Sequence, residues 1–166
     1  MWVEWMHGGK TTVLGVASGA VAGLATVTAG AGFLGPSSAI AIGVLAGVLC
    51  HFAVVWKGRM GYDGSLDVVG IHGVGGVAGI LATGLFASKA INASGAEGLL
   101  FGYAAHFGIQ AITVASVAQF SLIGTWLILK VVDLSVGLGI SPEDEWTGLD
   151  LNQHNERAYS YTMAYL

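Results

Sequence analysis

The chain has 166 residues, 54% of them apolar or aromatic by the AVILMFWYC count and 27 more of them glycine, while only 10% are charged. Soluble domains carry ~25% charged residues, and a surface this poor in charge is not kept in water, so an ordinary soluble domain is excluded, as is disorder, which needs low hydrophobicity and high net charge. A formal net charge of −4 without a basic patch argues against a nucleic-acid partner, and the lone Cys50 excludes an intrachain disulfide or a CxxC metal site; what remains is an integral membrane protein.

The start, Met1-Trp-Val-Glu-Trp-Met-His7, lacks the basic region and apolar core of a signal peptide. Trp2 and Trp5 look instead like aromatic-belt residues at the end of a helix. Between Lys10 and Lys57 lie 46 uncharged residues, enough for two crossings at ~20 residues each. Gly and Pro in Gly30-Ala-Gly-Phe-Leu-Gly-Pro36 place the turn, which predicts spans over about residues 12–29 and 37–56. The 21 uncharged residues between Asp67 and Lys89 predict a third span, 67–88. The 32 between Glu97 and Lys130 contain no proline. As one helix they would reach about 48 Å, more than a membrane thickness, so the prediction is one long tilted helix over 99–136. Two short helices with a turn near Gly108 are the alternative. These continuous apolar runs lack the alternation of barrel strands.

The fold class is therefore all-α: a polytopic bundle of four transmembrane helices over residues 1–139, with a polar tail over 140–166. In the tail, Ser141 is the expected N-cap, Pro142 suits the first helical position, and Glu143, Asp144 and Glu145 suit a helix N-terminus. Lys10, Lys57, Arg59 and Lys130 fall on one side of the four crossings and only Lys89 on the other. The positive-inside rule then places the C-terminus in the cytoplasm.

The informative segment is Asp67-Val-Val-Gly-Ile-His72-Gly-Val-Gly-Gly-Val-Ala-Gly79. It sets a histidine well inside an uncharged span, where an ionisable residue is expensive and usually faces a cavity or a partner. Helical spacing puts Val68, His72, Gly76 and Gly79 on nearly one face. Glycines, Gly73 and Gly76 among them, let neighbouring backbones approach. The plainer alternative is a core histidine bonded to another helix. Asp67 opens this helix, where it either caps the N-terminus or takes a functional role beside His72.

Several motifs in register resemble the ammonium transporter (Amt/Mep/Rh) family: Lys10-Thr-Thr-Val-Leu-Gly-Val-Ala-Ser18-Gly-Ala-Val-Ala-Gly-Leu24, Gly32-Phe-Leu-Gly35, Asp67-Val-Val-Gly-Ile-His72-Gly-Val-Gly-Gly76 and Gly148-Leu-Asp150. The resemblance runs over about residues 1–160. It implies an eleven-helix subunit assembled as a homotrimer, of which this chain would hold the end of helix seven, helices eight to eleven and the tail. It also implies ammonium or ammonia as substrate, a lipid bilayer as surroundings, no cofactor, and a narrow apolar pore lined by two histidines. His72 matches the second of these and Val68 a pore-wall position. The first histidine and the outer recruitment site match no residue here. Lys10-Thr11-Thr12 and Thr28-Ala29 stand where the family commonly has helix-boundary prolines. The tail, with Glu143-Asp-Glu-Trp146 and His154-Asn155-Glu156-Arg-Ala158-Tyr159, departs from the usual pattern on which docking of a PII-type signal protein rests. The implied location is the plasma (cell inner) membrane. A membrane ammonium sensor or interaction module of the same fold is the alternative function. A membrane enzyme or metalloprotein lacks ligands, since within the spans only His72 is deep and no HExxH, paired acids or cysteine cluster accompanies it.

The other polar residues have plain expectations. His51, with no second ligand at i±4, reads as interfacial rather than metal-binding. His106 reads as an outer-surface contact, His7 and His154 as solvated, and Lys130–Asp133 as a local ion pair. Ser18, Thr26, Thr28, Gln110 and Gln119 read as hydrogen bonds between helices, and Cys50 as a small apolar packer. Tyr159, Tyr161 and Tyr165 are the residues of the tail available to dock a partner or to lie in a disordered terminus.

Overall fold

The structure, a computed structural model, describes residues 1–61, 64 and 67–157. All regular elements among them are helical: α1 (Trp2–Gly8), α2 (Val13–Thr28), α3 (Pro36–Met60), a π turn (Val69–Gly73) running into α4 (Val74–Phe86), a 3-10 turn (Leu99–Phe101), α5 (Ala104–Ser135), α6 (Pro142–Thr147) and α7 (Leu149–Asn152). Three are long and apolar enough to cross a membrane, namely Pro36–Met60, Val69–Phe86 and Ala104–Ser135. The shorter Val13–Thr28 is also apolar. The long fourth helix begins at Ala104 rather than 99, because Gly102 at φ +93° ends the 3-10 turn in the left-handed region, which glycine enters without steric cost.

Helix boundaries follow local chemistry. Thr12 caps α2, its hydroxyl accepting from the Gly15 N–H at 2.9 Å. Pro36 opens α3, and Gly61 at φ +67° closes it. Ser141 caps α6 through the Asp144 N–H, with Pro142 in the first turn.

Two compact units divide the chain at Gln119/Phe120, inside α5. In the first, α2, α3 and α4 pack against one another around Ala22, Thr26, Ala46 and Cys50, all buried. The interface is made of small residues. Without water to expel between helices in lipid, close backbone approach and van der Waals contact hold such helices together. The row Ile71, Gly75, Gly79 and Thr83 faces this core, and all four are buried. A Cβ at Gly75 would stand 2.8 Å from Thr26 Oγ1 and 3.4 Å from Cys50 Sγ. At Gly79 it would run into the Thr26 carbonyl oxygen and lie 3.2 Å from Ala29 Cβ. The Thr26 and Thr83 hydroxyls bond within their own helices rather than across to a neighbour. They donate to Ala22 O at 2.8 Å and to Gly79 O at 2.9 Å, which satisfies a buried O–H locally. Thr28 does the same with Leu24 O at 2.6 Å. Cys50 packs in the core as expected, and its thiol also lies 3.6 Å from Ile71 O.

In the second unit, the described tail holds α6 and α7, joined by Asn152 Nδ2 donating to Asp144 O at 3.1 Å and to Asp144 Oδ1 at 3.0 Å. Lys130 and Asp133 are exposed and form no ion pair; a pair three residues apart in water gains too little to fix both side chains. Tyr159, Tyr161 and Tyr165 lie outside the described residues.

Candidate functional site

The site grows out of the turn between α3 and α4. Lys57, in the last turn of α3, donates to the Gly64 carbonyl and forms an ion pair with the Asp67 carboxylate. Both side chains are largely covered, at 16% and 25% exposure. Asp67 holds φ +52°, a left-handed conformation uncommon for a residue with a Cβ. Its carbonyl accepts the Ile71 N–H at 2.9 Å. The carboxylate is therefore committed to Lys57, while the backbone of Asp67 starts the helix.

Directly afterwards the helix widens. The Val74 N–H reaches Val69 O, five residues back, as well as Ile71 O. A π turn adds a residue to one helical turn, so spacings drawn across it for a regular α-helix shift. This separates residues that a 3.6-residue period groups together. Val68, at 54% exposure, and His72 lie on an open face, with Gly73 and Gly76 beside them. Gly79 belongs to the packed face instead. Gly73 and Gly76 face open space or ordinary contact, and the glycines that bring backbones together are Gly70, Gly75 and Gly79.

A cavity of about 730 Å³ lies on the other side of this segment, among α1, α2 and α3. Ile71, Asp67, Glu4, Ser18 and His51 line it, whereas Val68 and His72 do not. Within the described residues, the His72 face is thus an open wall. Glu4 deserves its place in the electrostatics. Its Oε1 accepts from the Thr12 hydroxyl at 2.7 Å and the Thr12 N–H at 3.2 Å. The Thr12 hydroxyl holds the Glu4 carboxyl below its ordinary value.

Two other histidines have defined partners. His106 Nδ1 lies 3.2 Å from Glu97 O, and Gln110 Nε2 lies 3.0 Å from His106 Nε2. An amide NH₂ can only donate, so Nε2 accepts and Nδ1–H donates to the carbonyl. Gln110 thereby bonds within its own helix rather than to a neighbour. His7 Nδ1 and His51 Nε2 meet at 3.3 Å. Sequence reasoning left His7 solvated and His51 without a nearby partner, because the two stand 44 residues apart. The Lys57–Asp67 pair had a visible signal: it joins the charges that bound two apolar runs on either side of a short turn.

Residues 1–159 match the model of the Ammonium Transporter Family. An ammonium transporter of Bacillus subtilis is 43% identical over 162 residues, covering 97% of this chain and 40% of the relative. Ammonium transporter Amt1 of Archaeoglobus fulgidus is 42% identical over 160 residues, again 40% of its length. Saccharomyces cerevisiae Mep2 superposes with a TM-score of 0.83 at 31% identity, over 99% of this chain and 38% of the yeast one. The chain thus spans about two fifths of the length of these relatives. With residues 1–159 matched to the family and relatives above 40% identical along nearly all of it, the chain belongs to the ammonium transporter family.

Proposed function

We propose that this chain forms part of a membrane transporter that moves ammonium or ammonia, and that His72 and Val68 line its conducting path. The observation that carries the reading is the position of His72 in a π turn, on the open row it shares with Val68. Single π turns inside α-helices occur frequently at functional sites. An ionisable side chain deep in a membrane span needs a polar or functional reason to be there. An apolar conduit disfavours a hydrated cation strongly and a neutral amine far less. A neutral imidazole offers one donor and one acceptor without fixed charge. It can hold a small polar molecule, or pass a proton to a second histidine supplied from outside this chain.

In this reading the remaining helices of the transporter cover the His72 face. Asp67, Gly73 and Gly76 support it, the first by starting the helix and the glycines by leaving the face flat. The spans over residues 1–139 lie in the plasma membrane, with the tail over 140–166 in the cytoplasm. Three subunits assemble, and the tail is the surface for a PII-type signal protein. The activity is transport and not catalysis. Uptake of methylammonium into vesicles carrying the full-length transporter tests the reading. Accumulation that ammonium competes away supports a transporter; binding without flux identifies a sensor of the same fold.

A further inference from the structure

Cys50, Val54 and Lys57 stand at helical spacing on α3 and so share one face. That face meets the start of the next helix in reverse order. The Cys50 thiol donates to Ile71 O at 3.6 Å. Val54 packs on Gly70, where an added Cβ would stand 2.9 Å from Val54 Cγ2 and 3.4 Å from its backbone nitrogen. Lys57 pairs with the Asp67 carboxylate and also donates to the Gly64 carbonyl. One face of α3 thus grips the chain from Asp67 to Ile71, across the entry to the π turn that carries His72. Gly70 and Ile71 are buried in this contact, while Val68 and His72 are exposed.

Of these holds, only Lys57 is both charged and directional. The Val54–Gly70 contact is van der Waals packing, and a thiol is a weak donor. Lys57 also acts where the register is set. Asp67 holds φ +52°, a conformation that costs energy for a residue with a Cβ and persists only where its surroundings enforce it. Its carbonyl accepts the Ile71 N–H, a regular four-residue bond. Farther on, the Val74 N–H reaches Val69 O, five residues back. Between the two, the segment holds one residue more than a regular helix would. Among the described residues, Lys57 is the polar partner of the Asp67 side chain. Without it the left-handed backbone is free to relax and the extra residue to be lost. That moves His72 one position round the helix, about 100° at 3.6 residues per turn, off the row it shares with Val68.

We propose, on the reading that His72 lines the conducting path, that Lys57 is a positioning residue for it: by clamping Asp67 it holds the π turn in register and keeps the imidazole in the path. The test measures ammonium uptake and the preference for ammonium over potassium in vesicles carrying the full-length transporter, unsubstituted and as His72→Ala, Lys57→Gln and Lys57→Arg. A loss of folded protein alone lowers the maximal flux and leaves KM and the ion preference as they were. A displaced His72 changes the preference itself. Lys57→Gln is expected to lower the preference by about tenfold or more, the scale on which small misplacements of a positioned group act. Lys57→Arg keeps a charged donor for the carboxylate and is expected to retain it. If His72→Ala loses the preference while Lys57→Gln keeps it, the clamp is overturned and the role of His72 stands; if His72→Ala keeps it, both fall. Solid-state NMR of the unsubstituted full-length protein in lipid needs no variant. A Lys57 Nζ–Asp67 Cγ contact together with left-handed backbone shifts at Asp67 supports the clamp, and the absence of either overturns it.

Discussion

Gly79 lies with its Cα against the Thr26 carbonyl oxygen, so that any Cβ at this position meets backbone and not a movable side chain. Three residues earlier, Gly76 has nothing within 4 Å of where its Cβ would stand. The pair gives a direct contrast. Gly79→Ala forces α2 and α4 apart and costs about 1–3 kcal/mol, the usual range for overpacking. Gly76→Ala relieves the cost of a glycine inside a helix and is neutral or stabilising by about 0.5–1 kcal/mol. Reversible unfolding of both variants in detergent micelles, followed by circular dichroism, is expected to separate them in that order. Equal effects would mean that α4 turns a different face to α2.

The Lys57–Asp67 pair joins the end of α3 to the start of the His72 helix. Lys57→Met leaves a largely covered carboxylate without its partner and is expected to destabilise the chain by about 1–3 kcal/mol. Adding Asp67→Asn removes the orphaned charge and is expected to recover part of that loss. A double-mutant cycle measures the coupling; a coupling within error of zero would reduce the pair to a surface contact.

Glu4 predicts an acid-side response with a definite sign. Its carboxyl is held below the ordinary value by the Thr12 hydroxyl and N–H. A depressed carboxyl favours the folded arrangement above its unfolded-state value and loses that advantage as pH falls through its folded-state value. Emission from the tryptophans, Trp2 and Trp5 of α1 among them, is expected to be steady above the ordinary carboxyl range and to change on its acid side. Glu4→Gln is expected to remove the change; a variant with the same acid transition would place its origin elsewhere.

The apolar helices were readable because charges bracket the uncharged runs that hold them. Val13–Thr28, Pro36–Met60, Val69–Phe86 and Ala104–Ser135 fall close to the ranges that the uncharged runs predict, and Ser141 and Pro142 open the tail helix as their chemistry requires. The face of the third span was less readable. A regular helical period groups Gly79 with His72, but the π turn at Val69–Gly73 changes the register and sends Gly79 into the core. Nothing in residue order marks a π turn. Thr26 and Thr28 were also misassigned as hydrogen bonds between helices, since a hydroxyl in lipid is satisfied as well by the carbonyl one turn back. His7 and His51 were out of reach for another reason: their contact exists only once α1 folds back against α3.

The central claim is that His72 lines a path for ammonium. Its most direct test is uptake of ¹⁵N-ammonium into vesicles by the full-length transporter with and without His72→Ala, at equal protein per vesicle. The account predicts that the variant loses most of its flux or its preference for ammonium over potassium. Flux and ion preference both unchanged in His72→Ala would contradict it.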